Sequence, residues 1–227
     1  LAPDFSGQRD YVAAVANGLQ HLHDHDVVYR SATIDTLVLD SCGYPQLICM
    51  SLVRSLAETG RTYTLCGTPG YLAPEQVALK GHGTAADAWG LGVLAYELLT
   101  GTLPWAGTSD ELQIYQAITK HGTSGAAPLA WPASVGAAER AMIGRLMEPN
   151  EVTRLGGRIG LFNELEELAC FRKMHMAALR DGALPAPHVS KCALAVISMR
   201  NSTTADPLAS VRRKAFDGDG AWTAGWD

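Results

Sequence analysis

Apolar positions repeat at helical spacing over much of the chain. Val12, Val15, Ala16, Leu19 and Leu22 fall on one face of a segment that Ser6 or Asp10 caps and that runs to about Asp24. Val27-Val28-Tyr29 and Leu37-Val38-Leu39 read as short strands, followed by a turn at Ser41-Cys42-Gly43 and a third apolar piece at Leu47-Ile48. Residues 54 to 75 show little periodicity and carry Gly60, Gly67, Pro69, Gly70 and Pro74, so a long irregular segment is expected there. Ala85 to Leu99 is apolar nearly all round, which predicts a central buried helix that Gly101 and Pro104 end. Further helices are expected over Ser109 to Lys120, Val135 to Met147 and Leu161 to Phe171. From about Asp181, Pro185, Pro187 and Pro207 interrupt the pattern and predict an extended tail. The fold class is mainly α with a few short β-strands.

Composition narrows the picture. With 227 residues and a 47% hydrophobic fraction the chain has enough apolar material for a full core. A net charge of -5 gives no footprint for nucleic acid, which needs a basic excess. Trp89 to Leu99 is the longest apolar stretch and is about half a membrane span, so no transmembrane segment is expected. Cys42, Cys49, Cys66, Cys170 and Cys192 form no C-x-x-C pair, which argues for reduced thiols in an intracellular setting, cytoplasmic or within a large assembly. His21, His23 and His25 beside Asp24 and Asp26 look like metal ligands at first. They alternate every second residue, which does not put all three on one helix face, and no metal is expected.

Thr62-Tyr63-Thr64-Leu65-Cys66-Gly67-Thr68-Pro69-Gly70-Tyr71-Leu72-Ala73-Pro74-Glu75 closely resembles the end of the activation segment in basophilic serine/threonine protein kinases, with their A-P-E signature. Val28-Tyr29-Arg30 resembles the start of the catalytic loop, Ala86-Asp87-Ala88-Trp89-Gly90-Leu91-Gly92-Val93 the central helix, and Thr153-Arg154-Leu155-Gly156-Gly157 the R-x-G turn. Leu179-Arg180-Asp181-Gly182-Ala183-Leu184 and Gly225-Trp226-Asp227 look most like cyclic-GMP-dependent kinases. The resemblance implies a kinase-like C-terminal lobe over 1–175 and an extended tail over 176–227. It implies that Asp87 accepts backbone bonds from the catalytic loop, that Glu75 and Arg154 form a buried ion pair, and that Tyr29 and Met50 sit in an internal apolar stack. The sequence holds no glycine-rich phosphate loop and no V-A-I-K-type lysine, so a lobe without its N-lobe is expected.

The same alignment implies that the phosphate-transfer groups are replaced. Ser31 stands where the family has its base aspartate, Thr33 at the phosphate-holding lysine, Thr36 at the magnesium-binding asparagine and Cys49 at the magnesium-chelating aspartate. A serine is no general base at neutral pH. Magnesium wants hard oxygen ligands, whereas sulfur suits softer metals. The expectation is a catalytically inactive lobe, with no cofactor, that binds or scaffolds. The alternative is an active kinase of the cyclic-nucleotide-dependent group, using ATP and magnesium, with its N-lobe supplied elsewhere. A protein partner is expected on the surface that normally faces the N-lobe.

Peptide-side features persist. Asp35 and Glu97 stand where the family reads arginines upstream of the acceptor, and Leu65, Pro69 and Leu72 where it holds the following apolar residue. Gly70 replaces a usual glutamate. Thr64 aligns with the activation-loop phosphosite, with Arg30 and Arg54 as its basic partners. Arg212-Arg213-Lys214-Ala215-Phe216 resembles a pseudosubstrate with alanine at the acceptor position.

Overall fold

The computed structural model describes residues 6–40, 43–105, 107–108, 110–124, 126–156, 160–184 and 186. Gly157, Cys42, Cys192, the basic run Arg212 to Phe216 and the terminal Gly225-Trp226-Asp227 lie outside them. The described chain is mainly helical, with seven α-helices and four short strands. The first helix, α1 (Ser6–His23), buries Val12, Val15, Ala16 and Leu19. These side chains pack against α3 (Ala85–Thr100), whose residues Ala86 through Tyr96 are all buried. A helix apolar on every face has to run through the centre of the core. It stops at Gly101, whose φ of 76° is the left-handed C-cap conformation; its N–H donates to the Glu97 carbonyl at 2.8 Å.

α5 (Ala137–Leu146) packs on α3, α6 (Leu161–Glu166) and α7 (Met176–Arg180) pack on α1, and α2 (Pro74–Val77) packs on α4 (Glu111–Lys120). Gly92 lets α5 approach closely, because a Cβ there would sit 2.7 Å from Met147 Cγ and 2.8 Å from Leu146 Cβ. Trp89 is fully buried and stacks on Trp105 with ring centroids 6.4 Å apart. His121, which follows α4, meets both indoles edge-on.

The strands form two nested antiparallel pairs. The inner pair is β2 (Leu37–Leu39) with β3 (Pro45–Leu47), and the outer pair is β1 (Val27–Val28) with β4 (Arg54–Ser55). Nesting holds loops 29–36 and 48–53 against one another between the pairs. Cys49 N–H donates to the Tyr29 hydroxyl at 3.3 Å, and Arg30 Nε donates to the Leu52 carbonyl at 2.6 Å. Residues 56–68 add no regular element, as the irregular pattern predicts. One bridge, Thr62 to His82, ties this segment down.

Three expectations change. The helix expected over Leu161 to Phe171 ends at Glu166, and i to i+3 turns continue through Leu168, Phe171 and Met174. The apolar spacing survives because such turns still deliver Phe171 to the core. The core also runs past residue 175, since α7 packs on α1 with Met176 and Leu179 buried, and Ala186 is buried beyond it. Met50 is 53% exposed and does not join an internal stack. It follows β3 in the 48–53 loop and lines an open cavity with Gly18, Leu22 and Leu47.

Candidate functional site

Asp87, in the first turn of α3, organises the loop after β1. Its side chain is 1% exposed and accepts the N–H groups of Tyr29 at 2.8 Å and Arg30 at 2.7 Å. His23 Nε2 lies 2.8 Å from the same carboxylate. A helix N-terminus favours negative charge, and three polar partners satisfy a carboxylate that would otherwise be costly to bury. Arg30 is fixed with φ at 65°, a conformation that a bulky residue keeps only when its surroundings impose it. Tyr29 is fully buried, and burial raises its phenol above the ordinary value.

Ser31 and Thr33, which follow, are buried. The Thr36 hydroxyl turns back on the loop. It lies against the carbonyls of Ser31 and Thr33 and accepts the Thr33 N–H at 3.1 Å. Cys49 Sγ is 3.2 Å from Ser51 Oγ. Hydrogen bonds from Ser51, side chain and backbone, and from the Ser31 hydroxyl hold the thiol below its ordinary value. The place that the resemblance reserves for two magnesium-binding side chains and a base thus holds hydroxyls and a soft sulfur. That donor set does not fit a magnesium–nucleotide pair. Asp35 is exposed nearby, and its charge acts on the Tyr71 phenol.

Glu75 in α2 and Arg154 form a bidentate pair with N–O distances of 2.7 and 2.9 Å. The Arg154 side chain is 0% exposed. Its Nε donates to the Glu148 carbonyl, Nη1 also to Ala85 and Nη2 also to Pro149, so every guanidinium N–H has an acceptor. The guanidinium carbon lies 5.2 Å from the Trp89 ring centroid.

On the opposite side of the loop, Tyr71 donates its hydroxyl to Glu97 and accepts the Ile34 N–H at 3.5 Å. Burial, then the Glu97 bond, raises this phenol far above its ordinary value, and Asp35 adds to the effect. Asp35 and Glu97 therefore flank one tyrosine. Leu65 is 45% exposed and Pro69 partly so, while Leu72 is buried, which leaves an apolar strip and not an open pocket. Gly70 is closely covered: a Cβ there would lie 2.9 Å from Leu103 Cδ1, and Trp105 Nε1 donates to its carbonyl at 2.7 Å.

Thr64 and Arg54 are exposed. Arg30 Nη1 is buried with no partner among the described residues. Tyr63 packs on Gly81, and Arg61 pairs with Glu151 at 2.8 Å, so the segment before Thr64 is anchored. His82 backs it. Its backbone bridges Thr62, its ring is buried, and burial followed by the Arg30 charge lowers its basicity. Burial lowers His121 likewise. Both imidazoles bind fewer protons folded than unfolded, so their contribution is whole above the unfolded value near 6.5 and erodes as pH falls through it. Thermal unfolding followed from pH 7.5 down to 5.5 should show falling stability, and His82→Phe should flatten part of the slope. A profile that is flat or rises on acidification would contradict this.

No sequence pattern marks His23, Tyr71 or His82 for the contacts they make. The local signal at His23 was its position as the last residue of α1; its acceptor lies 64 positions away.

Comparison with known proteins identifies the relatives of this arrangement. A model of the protein kinase domain matches residues 6–165. The cGMP-dependent protein kinase, isozyme 2 forms cD5/T2, of Drosophila melanogaster is 34% identical over 184 residues, covering 81% of this chain and 19% of its own length. The cGMP-dependent protein kinase 2 of Homo sapiens is 32% identical over 176 residues, covering 78% of this chain and 22% of its own. The cGMP-dependent protein kinase egl-4 of Caenorhabditis elegans is 34% identical over 184 residues, covering 81% and 23%. The chain spans about a fifth of the length of these relatives.

Proposed function

The chain belongs to the protein kinase domain family, and on that premise we propose that it acts by binding other proteins and does not transfer phosphate. One observation carries this reading. By the resemblance, Ser31, Thr33, Thr36 and Cys49 align with the base, the phosphate-holding lysine and the two metal ligands, and the Thr36 hydroxyl is engaged with its own loop. Phosphoryl transfer depends on positioned charge, and these four side chains bring no carboxylate and no ammonium. The scaffold beneath them is intact, with Asp87 holding the loop and Arg154 holding Glu75.

Two surfaces support a binding role. Val38, Leu39, Ile48 and Met50 are 41 to 55% exposed along the strands and the loop after them, and such an apolar strip suits a protein partner on the face that would meet an N-lobe. Asp35 and Glu97 beside the Leu65 strip suit a cationic peptide. Thr64, with Arg30 and Arg54 as basic partners, is the candidate phosphate acceptor, and Arg30 Nη1 is the donor that such a phosphate would use. No helix among the described residues is long and apolar enough to cross a membrane. Cys49, Cys66 and Cys170 are free thiols, which favours an intracellular place, in the cytoplasm or in a large assembly.

The relatives favour a second reading, in which the chain is part of a serine/threonine kinase of the cyclic-GMP-dependent group using ATP and magnesium, with the N-lobe supplied elsewhere. A synthetic Arg-Arg-Ala-Ser-Leu peptide separates the two. With the chain, ATP and magnesium, the binding reading predicts no phosphopeptide and a titratable peptide complex with a dissociation constant of about a millimolar or tighter. Phosphopeptide formed above a heat-denatured control would overturn it. No peptide binding would confine the binding role to the apolar strip.

A further inference from the structure

Between α4 and the segment 126–129 lies an open cleft of about 660 Å³. On its α4 side Gln113, Gln116, Ala117 and Lys120 share one helix face, at i, i+3, i+4 and i+7. Pro128 and Leu129 line it from the other segment. Contacts outside the cleft fix both sides. The Tyr96 hydroxyl donates to the Ala130 carbonyl, and the Ala126 N–H donates to the Thr123 carbonyl at 3.0 Å. Gly122 turns the chain at a φ of 74°, and a Cβ there would lie 2.6 Å from Pro149 Cγ. Trp105 and His121 also line the cleft; the indole is held by the Gly70 carbonyl and the imidazole by the Met147 backbone. The cleft is therefore preformed, as ligand sites usually are. Its charge is lopsided. Among the described residues none of its lining side chains is acidic, although the chain carries a net charge of -5. Lys120 is exposed in the last turn of α4 and is the lining cation. Glu148 acts on His121 but does not line the cleft. Asp110, which accepts from Gln113 Nε2 at 3.3 Å, caps the opposite end of α4.

We propose that this cleft takes an extended acidic segment of a partner protein, with a carboxylate on Lys120 and an apolar side chain between Ala117 and Leu129. The dimensions agree. Gln113 to Lys120 rise about 10 Å along α4, which is the length of ~3 extended residues. The Gln116 carboxamide can both donate to and accept from the main chain of such a segment. Trp105, Pro128 and Leu129 offer the apolar contact. An exposed ion pair is weak by itself, so the apolar contact supplies most of the affinity and Lys120 selects the sign of the charge. Salt weakens that selection.

The site rests on the reading that the chain binds other proteins, and it is separate from the Asp35–Glu97 surface. A peptide Ala-Leu-Glu-Leu-Glu-Ala, blocked at both ends, is titrated by calorimetry into the full chain and into the Lys120→Glu and Ala127→Trp variants. Lys120→Glu reverses the cation, and Ala127→Trp fills the cleft from an exposed position. The expected result is a dissociation constant on the order of a millimolar or tighter, weakened at least ~5-fold in each variant. The neutral counterpart Ala-Leu-Gln-Leu-Gln-Ala should bind the unaltered chain more weakly than the acidic peptide. No saturable binding of the acidic peptide would overturn the proposal. An affinity unchanged in either variant would place the peptide elsewhere and overturn it too. Self-association of the chain that Lys120→Glu abolishes, with no peptide bound, would overturn it in favour of a second copy. None of these results bears on phosphopeptide formation or on the Arg-Arg-Ala-Ser-Leu complex, so failure here is distinguishable from failure of the proposed function.

Discussion

Replacing Arg154 with methionine should cost ~3–5 kcal/mol of stability, because it strands Glu75 as a buried, unpaired charge. The loss is larger than a simple ion pair suggests. Arg154 also supplies the carbonyls of Glu148, Ala85 and Pro149 with donors, and it covers one face of Trp89. Methionine fills much of the volume and provides none of those bonds. Urea unfolding of the two chains measures the difference directly. Adding Glu75→Leu should recover part of the loss, since an apolar pair can replace a buried ion pair, but the three carbonyls stay without donors. A single-variant loss below ~1 kcal/mol would mean that Glu75 finds water or another partner, and the pair would not be what fastens α2 to the core.

Asp87→Ala is the second large effect, expected at about 3 kcal/mol or more. Two backbone N–H groups, of Tyr29 and Arg30, would be left buried without an acceptor, and His23 would lose its partner. Each stranded group costs ~1–3 kcal/mol. Asp87→Asn keeps one acceptor oxygen and should lose less. Hydrogen exchange gives a readout specific to this role. The Tyr29 and Arg30 amides should exchange faster in Asp87→Ala by more than the global loss of stability accounts for. Unchanged protection at both would show that the loop is held by its other contacts.

Parts of this architecture were legible in the chain before any coordinates, for physical reasons. The central helix α3 stood out because an apolar residue at nearly every position leaves burial as its only solution. The Glu75–Arg154 pair was suggested by motif order, which spans the 79 residues between the partners. The nested strands showed only as separate apolar pieces; that β1 pairs with β4 around β2 and β3 is a tertiary fact that local pattern does not carry. His23 was hidden among His21 and His25, whose alternation looks like a polar helix end. Only the fold shows that its ring reaches Asp87 while His25 Nδ1 stays local, 2.8 Å from the His21 carbonyl. Tyr71 lay inside a recognised motif, yet its hydrogen bond to Glu97 depends on α3 packing against the 69–71 turn. The α7 helix escaped because five residues are too few for a periodicity signal, and Met176 and Leu179 are buried by packing on α1.

The proposed binding role requires that Ser31, Thr33, Thr36 and Cys49 hold no magnesium–nucleotide pair. Thermal unfolding with millimolar ATP, with and without magnesium, tests it most directly. A ligand at ~100 times its dissociation constant that binds only the folded state would add about 2.7 kcal/mol. No magnesium-dependent rise in the unfolding temperature is expected. A rise that requires magnesium and disappears in Thr36→Val or Asp35→Ala would contradict it and restore the active-kinase reading.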